Sequence, residues 1–206
     1  QGRNLSEASL RDVARMISVV FTSATNAGGL TAAEVVALGR QPYTGFFGRL
    51  SDDDRRIVEQ SLEAVGIAPL GPRYMATLSD GERQKVMIAR ALAQQTPVMI
   101  LDEPTSFLDV ASRLEVMDLL RCLASEFSTA VLLSTHDVAD ALAISDRLWL
   151  LAPGGVFTEG AADEVVASGA MDSLFPGRGI AFDAEVLDYR LRLRSHDGNT
   201  AMPASK

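Results

Sequence analysis

Three short segments carry residue types that can act on a phosphate, a metal ion or a water molecule. Asp102-Glu103 closes the apolar run Val98-Met99-Ile100-Leu101. Adjacent carboxylates on extended backbone point in opposite directions, so one can reach Mg2+ or its water shell while the other polarises a water. An acidic strand-to-loop turn has the same sequence. Ser134-Thr135-His136-Asp137 follows a second apolar run, from Thr129, and presents one of the chain's two histidines at the corresponding place. That imidazole can bond a phosphate oxygen or simply pack. In Leu78-Ser79-Asp80-Gly81-Glu82, a serine precedes a glutamate by three residues, the pattern of a capping box that opens a helix. The free N–H groups there, with Gly81 leaving room for close approach, suit either an anion or an ordinary helix start. Asp109, in Ser106-Phe107-Leu108-Asp109, reads locally as the cap of the next helix.

These residues need elements to hold them. Leu5 to Val20 begins as a helix, with Ser6 as cap and Leu10, Val13, Ala14 and Ile17 at helical spacing, and its end, Ile17 to Phe21, becomes a β-branched strand. A small, Gly-rich loop follows. Residues 31–78 are helical with glycine and proline punctuation, and Ser51 caps an acidic first turn at Asp52 to Asp54. The helix opened by Ser79 runs to about Ala93. Apolar runs at Val98, Thr129 and Arg147 to Leu151 alternate with helical segments at Asp109 to Phe127 and Asp137 to Ile144, which predicts an α/β fold with a parallel sheet covered by helices. Ligands in such sheets sit beyond the carboxyl ends of the strands, where Asp102, Glu103 and His136 fall. Beyond Gly154 the pattern predicts a turn and short strand at Gly155 to Gly160, a helix at Ala161 to Ser168, an edge strand at Tyr189 to Arg194 and a frayed end from His196.

Composition narrows the classes. The 206 residues are ordinarily globular, and 27 acids against 19 bases leave a charge of −8, which disfavours a nucleic-acid surface. A single cysteine, Cys122, excludes an internal disulfide framework and suits a reducing compartment. No stretch is long and apolar enough to span a bilayer, and the first residues lack a signal-peptide pattern. Lysine occurs only at positions 85 and 206.

The order and spacing of these segments, over residues 1 to 160, resemble the ATP-binding-cassette ATPases. The resemblance implies a P-loop NTPase fold, here truncated at its N-terminus, with divisions at residues 1–28 (end of the N-terminal core and Q-loop region), 29–78 (a small helical subdomain), 79–160 (signature helix and catalytic core) and 161–206 (C-terminal tail). It further implies ATP and Mg2+ as ligands. Asp102 then coordinates Mg2+ through water, Glu103 polarises the hydrolytic water and His136 contacts the γ-phosphate. Ser79 and Gly81 contact ATP held by a second copy of the subunit, Glu82 is counted with them among the nucleotide-binding residues, and Asp109 links the two sites across the dimer. Asp80 and Glu82 depart from the family's Leu-Ser-Gly-Gly-Gln, and Glu82 gains a capping role. Thr22 occupies the place of the Q-loop glutamine and is too short to reach both metal and water. No Gly-x-x-x-x-Gly-Lys-Ser/Thr occurs, and neither lysine could serve one. Without that cradle the β- and γ-phosphates lose their main site, so the 206 residues alone are expected to be inactive.

Glu34-Val35-Val36-Ala37-Leu38-Gly39-Arg40-Gln41-Pro42-Tyr43 is similar to a segment of the ATPases that power uptake of iron–siderophore complexes, haem and vitamin B12. Read without its neighbours it is a helix end with a Gly-x-x-Pro stop. The resemblance implies a cytoplasmic subunit, peripheral on the inner face of the membrane, that meets a permease through the region of Arg40 and Tyr43 and works with a periplasmic or surface binding protein. Two other classes fit less well. A soluble cassette protein acting on DNA or ribosomes usually has coiled-coil insertions or basic linkers, and a non-hydrolysing binding module has no need of both Glu103 and His136.

Overall fold

The computed structural model describes residues 4–22, 27, 29–45, 47–176 and 180–191. By packing, the chain forms two units, residues 1–136 and 137–206, a coarser division than the four segments that the motifs delimit.

The first unit starts with α1 (Leu10–Met16), which runs directly into β1 (Ile17–Val20). Ser9 caps α1, accepting from the Asp12 amide. Ser6, expected in that role, lies in a preceding 3-10 turn, and Leu10 is exposed rather than on a buried face. The next 3-10 and α-helices follow their caps. Thr31 and Glu34 form a capping box for α2 (Ala32–Ala37), a 3-10 helix spans Leu38–Tyr43 with Pro42 inside it, and Ser51 and Asp54 form a second box for α3 (Asp52–Ala64). Gly66, at φ 73°, lets the chain turn back at the end of α3. Its amide donates to Glu63 O and that of Ile67 to Leu62 O, which satisfies two of the terminal carbonyls. The third box, Ser79 with Glu82, opens α4 (Asp80–Ala93), whose extent matches the expected helix.

After α4 come β2 (Val98–Asp102), α5 (Val110–Glu126) and β3 (Ala130–Ser134). β1, β2 and β3 form a three-stranded parallel sheet in that order. One register carries the site: Asp102 lies opposite Ser134. Burial alternates along the strands, and Val20, Met99 and Leu101 turn into one hydrophobic core. That core also holds Val35, Val36, Val58 and Leu62 of α2 and α3, Val86 and Ile88 of α4, and Val116, Leu120 and Leu123 of α5.

The second unit has α6 (Val138–Ile144), β4 (Leu148–Ala152), β5 (Val156–Gly160), α7 (Ala162–Ala167), β6 (Ile180–Asp183) and β7 (Asp188–Leu191). The run at Leu148 was expected in the parallel sheet and is instead half of an antiparallel hairpin with β5. The reason is the connection, Pro153-Gly154-Gly155. Both glycines take positive φ, 83° and 80°, and reverse the chain at once. β6 and β7 form a second hairpin. Leu142, Val165 and Met171 make this unit's small core, and the Tyr189 hydroxyl donates to Met171 O at 2.7 Å. Burial and the nearby Asp172 push that phenol up to about 12. The expected end from His196 lies outside the described residues.

Candidate functional site

The carboxyl ends of β2 and β3 meet through one hydroxyl. Ser134 Oγ donates to Asp102 Oδ1 at 2.7 Å and accepts from the Glu103 amide at 3.0 Å. The Thr22 hydroxyl donates to Asp102 O at 2.7 Å, so the chain leaving β1 is fastened to the same strand end. Thr22 therefore has a tie to the main chain at the place expected for a metal-sensing glutamine.

Glu103 does not continue the strand as expected. It turns at φ 44°, in the left-handed region that non-glycine residues rarely enter, and Phe107 follows at φ 68°. Its side chain then meets two partners. Ser106 Oγ donates to Glu103 Oε2 at 2.6 Å, and His136 Nδ1 lies 3.2 Å from Glu103 Oε1. The Ser106 hydrogen bond, followed by that from His136, holds the Glu103 carboxyl below the usual carboxylate range, which keeps it an acceptor at neutral pH. Both side chains reach solvent, His136 more than Glu103. An ionised carboxylate beside an imidazole, open to water, can orient a water and accept its proton, while the imidazole can bond an anion.

A second polar group lies at the N-terminus of α4. The Ser79 amide donates to Glu82 Oε2 at 2.8 Å, and the Glu82 amide to Ser79 Oγ at 3.2 Å. The first of these bonds lowers the pKa of Glu82. Arg73 lies 3.7 Å from the other Glu82 oxygen, and Asp80 is paired with Arg83 at 2.5 Å. The two carboxylates that depart from the family pattern are thus each matched by an arginine.

Asp109 caps α5, accepting from the Ser112 amide at 2.9 Å and from its hydroxyl at 3.0 Å. Those two bonds, the amide's first, lower its pKa. Ser112 also explains Gly81. A Cβ at position 81 would sit 2.9 Å from Ser112 Oγ, so the missing side chain lets α4 pack on the start of α5. Gly81 is buried there, and the room expected for a ligand on its side-chain face is filled by Ser112.

Asp102, Glu103 and His136 therefore come together, while Ser79, Gly81, Glu82 and Asp109 form a separate group joined through Ser112. Ser106, Ser112 and Ser134 are the residues that sequence reasoning passed over. Only strand register shows that Ser134 faces Asp102.

Arg40 requires a correction. Its side chain is 6% exposed and pairs with Asp54, itself 10% exposed, at 2.8 Å. A side chain so enclosed is not available to a permease. The Tyr43 hydroxyl is likewise occupied, donating to Gln94 O at 2.9 Å.

The sequence profile of the ABC transporter family matches residues 1–106. An iron(3+)-hydroxamate import ATP-binding protein of Bacillus subtilis is 38% identical over 90% of this chain and 67% of its own length. The chain belongs to the ABC transporter family. Another member, an uncharacterized ABC transporter ATP-binding protein of Methanocaldococcus jannaschii, is 40% identical over 91% of this chain, which spans 64% of that relative. Among solved ABC transporter structures, a metal-chelate type transporter in an inward-facing conformation superposes with a TM-score of 0.73 at 29% identity, covering 78% of this chain and 63% of that one. CbiO1 of Clostridium perfringens, part of the cbiONQ complex, gives 0.66 at 28% identity, covering 78% and 62%.

Proposed function

We propose that these residues belong to the ATP-binding and ATP-hydrolysing subunit of an importer for iron chelates, haem or cobalamin. The approach of Glu103 to His136, 3.2 Å, is the observation that carries the reading. Relatives named for iron(3+)-hydroxamate import in Bacillus subtilis and for cobalamin import in Halobacterium salinarum support the cargo class.

In this mechanism Glu103 polarises the attacking water and His136 bonds the γ-phosphate, with positioning and charge doing the catalysis and no covalent intermediate. Ser79 and the α4 N-terminus meet the nucleotide held by a second copy, and Asp109 connects the two copies. Among the described residues no group of three or more acidic, histidine or cysteine side chains is arranged to hold a metal ion by itself. Mg2+ would therefore rest on Asp102, phosphate oxygens and water, a mode that suits this ion, and its chemistry is to neutralise phosphate charge. Asp102 fits that use because Ser134 fixes one of its oxygens. The subunit is peripheral on the cytoplasmic face and works with a permease and its binding protein. No described helix is long and apolar enough to cross a membrane.

Activity requires the phosphate loop, which the 206 residues do not contain. In a protein that carries one, Glu103→Gln is expected to keep ATP binding and lower turnover by about 100-fold or more. Unchanged turnover would remove Glu103 from its role. The 206-residue chain by itself is expected to show no ATP turnover in a phosphate-release assay, and clear turnover would contradict the need for the cradle.

A further inference from the structure

Ser134 ends β3 on a face whose other members, Ala130 and Leu132, are apolar. The parallel register sets it opposite Asp102, at the last step where β2 and β3 pair. Its hydroxyl is used there in both directions, donating to Asp102 Oδ1 at 2.7 Å and accepting from the Glu103 amide at 3.0 Å. A hydroxyl that donates becomes a better acceptor, so the two bonds strengthen each other. The main chain of Asp102 has a separate hold, the Thr22 hydroxyl on its carbonyl.

The Glu103 amide also reaches Ser134 O at 3.1 Å, the acceptor that a parallel ladder offers in any case. The hydroxyl is the additional attraction. It acts on the residue whose φ of 44° takes the chain out of the extended region, a conformation that costs free energy unless the surroundings hold it. The other holds come from Ser106, whose amide donates to Glu103 O at 3.2 Å and whose hydroxyl donates to Glu103 Oε2. Ser106 thus secures the carboxylate and the far side of the turn. Ser134 secures the place where the turn begins, beside Asp102.

We infer that Ser134 is a positioning residue whose one hydroxyl sets both the carboxylate that would hold a divalent cation and the turn that delivers Glu103 to His136. The two groups are then not independent, because a change at Ser134 disturbs the Asp102 oxygen and the Glu103 backbone together. The cation part rests on the proposed function of Asp102. The turn is a property of the chain alone.

The test follows the Asp102 and Glu103 amides of the isotope-labelled 206-residue chain by NMR. A left-handed residue has a small three-bond coupling between its amide and α protons, and an extended residue a large one. Ser134→Ala should raise the Glu103 coupling toward the extended value and speed exchange of that amide about tenfold, as loss of one hydrogen bond does. Ser134→Thr, which keeps a hydroxyl on Cβ, should return both to the parent values. Mn2+ alone, standing in for Mg2+, should broaden both amide signals. Ser134→Ala should need about tenfold more Mn2+ for the same broadening, the usual result of removing a group that orients a ligand carboxylate. A Glu103 coupling that stays small in Ser134→Ala overturns the inference, and so does an unaltered Mn2+ requirement. Should that variant fail to fold, Ser134→Val, a strong strand former without a hydroxyl, is read instead, with the same changes expected and their absence equally decisive. Parent signals that Mn2+ does not broaden would overturn the cation half together with the proposed role of Asp102, a result separate from the coupling, which decides the turn.

Discussion

The boxes Ser51–Asp54 and Ser79–Glu82 open two helices of the same unit with the same reciprocal bonds, yet one serves the interior and the other faces solvent. Asp54 is buried and recruited by Arg40, and the Ser51 hydroxyl bond, with that from Arg40, brings its pKa down to about 2. Glu82 is 33% exposed, and its arginine stands off at 3.7 Å. The carboxylate in the first box holds a second helix; the one in the second leaves a helix N-terminus open beside Asp109. A capping box thus specifies a helix start, and the neighbours decide what the start is for.

Truncation is the most forceful way to break this comparison. Asp54→Ala should cost about 3 kcal/mol in urea unfolding, because it leaves a buried guanidinium without its counter-charge. Glu82→Ala should cost about 1 kcal/mol or less, as loss of an exposed cap does. Equal losses would mean that burial does not distinguish the two boxes.

A smaller effect is carried by protons. The folded pKa of Asp54 lies below its ordinary 3.8, at about 2, so the folded state holds fewer protons than the unfolded state between those values. The stability from this group is complete above the ordinary value and is lost as pH falls through about 2. Unfolding curves measured over that window should lose this part of their pH dependence in Asp54→Asn, whereas Glu82→Gln should alter it less.

A further test concerns the second box. Gly81→Ala should destabilise by about 1–2 kcal/mol through contact with Ser112. Combined with Ser112→Gly, the loss should be less than the sum of the two separate changes, measured by a double-mutant cycle. Additive losses would show that Ser112 does not explain this glycine.

Much of the architecture was legible because it is encoded over short distances. Ser51, Ser79 and Asp109 sit three residues before the groups that they bond, and the apolar runs at Val98 and Thr129 have the length and branching of strands. The order of the motifs pointed to the right family. What misled was also local. Arg147 to Leu151 looks like the other two apolar runs, and only the glycine pair after it sends it into a hairpin. Arg40 sits in a segment expected to meet a permease, and its burial depends on Asp54 and Ala93, which no periodicity connects to it. Glu103 reads as extended because it follows a strand, although its amide is drawn to Ser134 and its backbone turns.

The sequence by itself determined where helices start, which runs become strands and which side chains are chemically able to act, since those outcomes depend on hydrogen bonds and burial patterns within a few residues. Only the tertiary structure decided that His136 reaches Glu103, that Ser134 steadies Asp102, that Ser112 fills the space at Gly81 and that Arg40 faces inward. Each of these contacts joins residues from different elements, and their meeting depends on strand register and helix packing, which are properties of the whole core.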